Sequence, residues 1–198
     1  MTETIEEKEG NESYMQVAIR IKPLDENKKA CLQYITESNQ IVINKEHNSG
    51  SSKRTFSFDY IFGPSTTQET IYNKLCPSLI NNFLDGINIT VFAYGQTGTG
   101  KTYTMGSETS SLNSKESVGI IPRVIQGVYN GIENKKTELN EMEYVVKIMF
   151  IEIYQEQLRD LLHPDTPSKD INIWENNNTI TISGIQEEVV NNLDEILK

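Results

Sequence analysis

Gly95-Gln-Thr-Gly-Thr-Gly-Lys101-Thr102 is the stretch from which the rest of this sequence can be placed. It matches G-x-x-x-x-G-K-[ST], the phosphate-binding loop that joins a buried strand to a helix. Glycines at 95, 98 and 100 let the backbone curl so that successive N–H groups, including those of Gln96, Thr97 and Thr99, can face an oxyanion. Lys101 supplies a mobile positive charge for β- and γ-phosphates, and the Thr102 hydroxyl can ligate Mg²⁺. From average composition such a string arises by chance in roughly one chain of this length in a hundred.

Working outward, Ile87-Asn-Ile-Thr-Val-Phe-Ala-Tyr94 predicts a buried strand entering the loop, and Lys101-Thr-Tyr-Thr-Met105 a helix leaving it. Upstream, Met15–Lys22 is a strand candidate stopped by Pro23, and residues 25–53 are polar, with a short β-like piece at Ile41–Ile43 and a loop at 48–52. Thr55–Phe62 alternates, placing Phe56, Phe58, Tyr60 and Phe62 on one face. A helix follows, with capping boxes at Ser65/Gln68 and Thr66/Glu69, a stripe of Ile71, Leu75, Leu79 and Phe83, and Gly86 as its stop. Pro77 predicts a kink or a split in that helix.

Downstream, Pro122 opens a second helix whose Ile121, Val124, Ile125, Val128, Tyr129 and Ile132 follow helical spacing; Lys135 and Lys136 at its end suit the helix dipole. Tyr144–Tyr154 is apolar on both faces, as a central strand is, and Gln155–Leu162 predicts a short helix. Ile171–Trp174 and Thr179–Ile182 predict a polar hairpin, with Trp174 as a packing anchor. Asn192 with Glu195 predicts a helix start.

Composition narrows the function classes. The chain has 198 residues, 18 basic and 28 acidic, for a formal charge of −10. That balance argues against nucleic acid held by bulk electrostatics. No apolar run is long enough for a membrane span, and residues 1–14 predict a disordered acidic tail, not a secretory signal. Cys31 and Cys76 are too few for a disulfide framework, and His47 and His163 predict surface loop residues, not a metal site. A reducing cytoplasm is the compartment these features fit.

A phosphate loop is half of a hydrolase site; the other half is a carboxylate ending a buried strand and a group that positions water. Asp59, Glu152, Asp160 and Asp165 are the candidates, and a solvated or capping role suits each better by position. No catalytic residue is assigned.

Val91-Phe-Ala-Tyr-Gly-Gln-Thr-Gly-Thr-Gly-Lys-Thr-Tyr-Thr-Met-Gly106 resembles the nucleotide loop of kinesin motor domains. Val17–Pro23, Phe56–Phe62, Gly119–Ile125, Phe150–Tyr154 and Leu158–Leu162 agree in order, so the resemblance covers about residues 15–198. Gly119-Ile-Ile-Pro-Arg-Val-Ile125 is most similar to branches such as the chromokinesins. The resemblance implies an α/β fold with a P-loop NTPase-type central mixed sheet flanked by helices, incomplete at the C-terminus. It implies an N-terminal portion of a motor domain, with both switch regions, most tubulin-gripping elements and the dimerisation segment outside this chain. Missing strands would fall between 87–94 and 144–154 and beside 15–22, leaving unpaired edges.

The same resemblance implies ATP with Mg²⁺ as ligands, microtubules (tubulin) as partner and the cytoskeleton as location. Arg20 and Pro23 would border the adenine and Tyr103 would stack on it; a tyrosine just after the loop also suits packing of the helix itself. An acidic chain, with His163 and Lys169 as the positive candidates of the 163–175 stretch, implies weak microtubule binding by this segment alone. A non-catalytic binding module and an unrelated P-loop enzyme such as a GTPase are the other two readings; the Asn-Lys-x-Asp base signature of a GTPase is missing.

Overall fold

The expected strand at Met15–Lys22 is present only as the three-residue β1 (Ala18–Arg20). In the computed structural model the described residues are 15–25, 27, 30–47, 50–106, 116–138, 143–177, 179–192 and 195. The predicted tail at 1–14 lies outside them. The chain divides into two units, Met1–Leu75 with Val91–Ile120 and Cys76–Thr90 with Ile121–Lys198.

In the first unit, β2 (Leu32–Ile35), β3 (Gln40–His47) and β4 (Gly50–Ser57) form an antiparallel meander. The predicted 48–52 loop is shorter than expected, because Gly50, Ser51 and Ser52 pair with His47, Glu46 and Lys45. A ladder needs only backbone groups, so polar residues extend it without leaving an apolar signal.

The expected single strand 55–62 is divided: β4 ends at Ser57, and β5 (Tyr60–Phe62) runs parallel to β1. Side-chain bonds hold this corner. The Asp59 carboxylate accepts the Val17 N–H at 2.7 Å, while Asn39 donates to the Asp59 carbonyl at 2.9 Å and accepts from the Ile61 N–H at 3.2 Å. The alternation survives locally, with Tyr60 and Phe62 stacked 6.2 Å apart.

Helix α1 (Gln68–Leu84) is continuous, so Pro77 lies within it and does not split it. Its cap is Thr67, whose hydroxyl accepts the Thr70 N–H at 3.1 Å, in place of Ser65 or Thr66. Ile71, Cys76 and Ile80 are buried, whereas Phe83 is half-exposed. A strict every-fourth-residue stripe drifts about 40° per step around a helix of 3.6 residues per turn. By Phe83 it has rotated off the buried face. Gly86 (φ +93) ends the helix as expected: its N–H bonds Phe83 and the Ile87 N–H bonds Asn82, the two bonds of a Schellman motif.

Residues 87–94 have no regular secondary structure and pair with no strand among the described residues, and Phe92 and Tyr94 are 75% and 95% exposed. The expected buried strand is therefore corrected. Its apolar composition suits a strand covered on both sides, and composition alone cannot supply the flanking ladders. After the loop comes α2 (Lys101–Met105), closed by Gly106 at φ +75.

In the second unit, α3 (Ile120–Glu138) carries Pro122 in its first turn and buries Tyr129 and Ile132. Lys135 in its last turn bonds the Leu84 carbonyl at 2.8 Å and Asp85 at 2.7 Å. The expected central strand 144–154 is two short strands. β6 (Val146–Ile148) and β7 (Ile151–Tyr154) divide at Met149-Phe150, and Ile153 is 70% exposed.

β7 turns into β8 (Gln157–Asp160), which replaces the predicted helix at 155–162. Gln155 and Glu156 have φ of +50 and +63. With positive φ at both central positions this is the pattern of a type I′ hairpin turn, which Asn-Gly signals and Gln-Glu does not. β9 (Asn172–Asn176) and β10 (Thr179–Ser183) form the expected hairpin. Trp174 is exposed and donates to the Ser183 hydroxyl at 3.0 Å, so it is not the expected packing anchor.

β11 (Glu188–Val190) pairs antiparallel with β6. Beyond it, Asn192 accepts the Glu195 N–H at 3.0 Å, the first bond of a cap at the predicted helix start, while Glu195 accepts the Asn191 N–H at 2.8 Å, one residue before the cap. Among the described residues the ladders are β1-β5, β2-β3-β4, β6-β11, β7-β8 and β9-β10, and they do not join into the expected central mixed sheet.

Candidate nucleotide-binding site

All of the predicted site residues lie in the first unit. Gly95, Gly98 and Gly100 have φ of +156, +82 and +99, conformations that a side chain would strain. At Gly95 a Cβ would also meet the Thr99 hydroxyl at 2.7 Å. Thr99 closes the loop on itself, its hydroxyl donating to the Gln96 carbonyl at 2.8 Å. The amides of Gln96, Thr97, Gly98, Gly100, Lys101 and Thr102 have no protein acceptor among the described residues. These are the groups that a phosphate would take up.

Lys101 reaches back across the loop, donating to the Gly95 carbonyl at 2.8 Å and the Gln96 carbonyl at 2.9 Å. Lys22, which the motif did not mark, donates to the Gly98 carbonyl at 2.9 Å. Its signal was its position, two residues beyond Arg20. Thr102 and Pro23 are exposed.

Arg20 is placed beside Tyr103. Its guanidinium carbon lies 5.0 Å from the ring centroid, and Nη1 donates to the Thr104 hydroxyl at 3.0 Å and to Gln68 Oε1 at 2.6 Å. Burial pushes the Arg20 guanidinium below its usual value and the adjacent Tyr103 acts in the opposite direction. Arginine stays charged through such shifts. Gln68 and Thr104 were missed; the sequence offered Gln68 only as part of a helix cap.

None of Arg20, Lys22 and Lys101 forms an ion pair with a carboxylate among the described residues. In a chain with a net charge of −10, unpaired cations gathered at a loop with free amides fit an anionic ligand. The donor set also suits Mg²⁺·nucleotide: a hydroxyl at Thr102 for the metal, amides and Lys101 for phosphate.

Three of the four carboxylates considered for catalysis are occupied elsewhere. Asp59 holds the Val17 amide. Glu152 pairs with Arg159 at 3.2 Å. Asp160, in the second unit, is buried at a strand end and bonds the amides of Leu162 and His163, each at 3.0 Å. His163, expected at the surface, is partly buried between Asp160 and Glu188.

Comparison with known proteins identifies the family. The Kinesin motor domain family matches residues 6–198. Kinesin-like protein KIF27 of Homo sapiens is 37% identical over 190 residues, covering 92% of this chain and 13% of that protein. Chromosome-associated kinesin KIF4B of Homo sapiens is 37% identical over 183 residues, covering 89% and 14%. Kinesin-like protein KIP1 of Saccharomyces cerevisiae is 40% identical over 176 residues, covering 78% and 15%. The chain thus spans between 13% and 15% of the length of these relatives. With a family match across nearly all of its residues, the chain belongs to the kinesin motor-domain family, whose fold is that of a P-loop NTPase.

Proposed function

We propose that this chain binds ATP with Mg²⁺ at Gly95–Thr102 as the nucleotide-binding portion of a microtubule-dependent motor ATPase. The amides of Gln96, Thr97, Gly98, Gly100 and Lys101 hold phosphate oxygens, with Thr99 fastening the loop. Lys101 exchanges its two loop carbonyls for the β- and γ-phosphates, and Thr102 ligates the metal. Arg20, Pro23 and Tyr103 border and stack on the adenine. Mg²⁺, held there by Thr102, would supply neutralisation of the phosphate charge. The motor acts on the cytoskeleton of the cytoplasm, and the ladders that stand apart in this segment belong to a central mixed sheet flanked by helices in the motor as a whole. Acidic composition makes the microtubule affinity of this segment alone weak.

The observation that carries the proposal is the set of unpaired cations, Arg20, Lys22 and Lys101, around a loop whose amides have no protein acceptor. Titration with a fluorescent ATP analogue tests it. Binding should be competed by ATP better than by GTP and lost in Lys101→Ala. Unchanged ATP affinity in that variant would refute the assignment. Phosphate release with and without microtubules then separates a turning-over motor fragment from a passive nucleotide binder.

A further inference from the structure

Gln68 is the most deeply buried polar side chain near the loop, 2% exposed, and none of the roles above uses it. Its Oε1 accepts Arg20 Nη1 at 2.6 Å. Its Nε2 donates to the Tyr103 carbonyl at 2.5 Å and to the Ser117 carbonyl at 3.2 Å. The partners fix the orientation of the amide, because only Oε1 can accept from a guanidinium and only Nε2 can donate to carbonyls.

This one side chain therefore joins the two groups placed against the base. It holds Arg20 through its charge-bearing end and Tyr103 through its backbone, while Thr104 takes the second bond of the same Arg20 nitrogen. A long, branched arginine loses much rotamer freedom when fixed over an aromatic ring. A buried acceptor aimed at Nη1 removes that freedom before any ligand arrives. Arg20 lies on β1, Tyr103 on α2 and Gln68 on the first turn of α1, so the glutamine sets a distance between elements that no local pattern in the chain controls.

On the nucleotide assignment above, we propose that Gln68 is a positioning residue for base recognition: it pre-organises the Arg20–Tyr103 pair and so sets affinity for the purine, and it does not touch the nucleotide. Phosphate binding is left to the loop. Gln68→Met keeps the volume and removes all three bonds; Gln68→Glu keeps the acceptor for Arg20 and turns an oxygen toward the Tyr103 and Ser117 carbonyls.

The test measures binding of ATP and of tripolyphosphate, which has no base, to the full 198-residue chain and to both variants, with melting curves confirming that each is folded. Gln68→Met should weaken ATP about tenfold, the loss of one hydrogen bond to a charged group, with tripolyphosphate held within about twofold. Gln68→Glu should fall between Gln68→Met and the unaltered chain for ATP alone. Equal weakening of both ligands by Gln68→Met overturns the proposal, since it would mean that the glutamine only supports the fold. Unchanged ATP affinity in that variant overturns it as well. Failure of the unaltered chain to bind either ligand would instead remove the nucleotide assignment, and this role with it.

Discussion

The guanidinium of Arg20 sits over the ring of Tyr103, 5.0 Å from its centroid, although the two residues come from elements far apart in the chain. A cation placed over a ring stiffens it against rotation, and Tyr103 remains half-exposed. Arg20→Ala should therefore weaken ATP about fivefold to tenfold while sparing tripolyphosphate, in keeping with a cation–π contact of about 1 kcal/mol. Tyr103→Ala should act in the same direction, and Tyr103→His should restore much of the loss. Competition binding reads all three. An Arg20→Ala variant that loses both ligands equally would place the arginine on the phosphates.

Gly106 offers a test of how tightly the exit of α2 is held. Its φ is +75, and a Cβ there would lie 2.6 Å from both the Cα and the N of Gly119. Backbone cannot yield as a side-chain tip can, so Gly106→Ala should cost about 2–3 kcal/mol, near the upper end for point substitutions. Denaturant unfolding measures it. Gly131→Ala is the control, because the atom met there first is a terminal methyl of Leu84, which can change rotamer. A Gly106→Ala variant as stable as Gly131→Ala would contradict the close approach.

The same contrast between local and distant causes explains what the sequence disclosed. The loop was legible because its demands are local: positive φ at Gly98 and Gly100 calls for glycine at those positions, and the lysine follows directly. Gly86 was legible for the same reason. Gln68 was not, since its partners Arg20 and Tyr103 lie 48 and 35 residues away and its spacing fits a helix cap equally well. The Gln155-Glu156 turn escaped because neither residue type favours the conformation it adopts. Residues 87–94 show the opposite failure: their composition is that of a buried strand, but burial depends on neighbours that a strand's own residues do not encode.

Asp160 should make stability fall in acid. Burial works to raise its pKa, but hydrogen bonds from the His163, Gln186 and Leu162 amides, together with the His163 ring, outweigh burial and hold the carboxyl below its usual value. The ring nitrogen Nδ1 is 3.4 Å from Oδ2 and makes no hydrogen bond there, so its share is through space, and Glu188 faces the other side of that ring at 2.8 Å. A carboxyl depressed in the folded state stabilises above the unfolded pKa of about 3.9 and loses that contribution as pH falls through the folded value. Asp160→Ala should cost about 2 kcal/mol at neutral pH, since amides are left without their acceptor. The gap between variant and parent should narrow below about pH 4. Urea titrations across that range decide it; a gap that stays constant would show that the carboxylate's charge is not what matters.

Tyr129 gives the alkaline counterpart. Its hydroxyl donates to the Val190 carbonyl at 2.9 Å in a buried setting, tying α3 to β11 within the second unit. Burial first, then the nearby Tyr144 and Glu195, push its pKa above the ordinary tyrosine value. The unfolded chain therefore ionises before the folded one, so this contribution is whole below about pH 10 and shrinks as pH rises beyond it. Tyr129→Phe should lose about 1 kcal/mol at neutral pH through the missing hydrogen bond. It should also lose stability less steeply than the parent between about pH 9.5 and about pH 11, because a phenyl ring has no proton to release. Chemical denaturation at several pH values follows both effects in one series. Equal alkaline slopes in parent and variant would mean that the phenol is as free to ionise in the folded protein as in the unfolded chain, and that the bond to Val190 does not hold its proton.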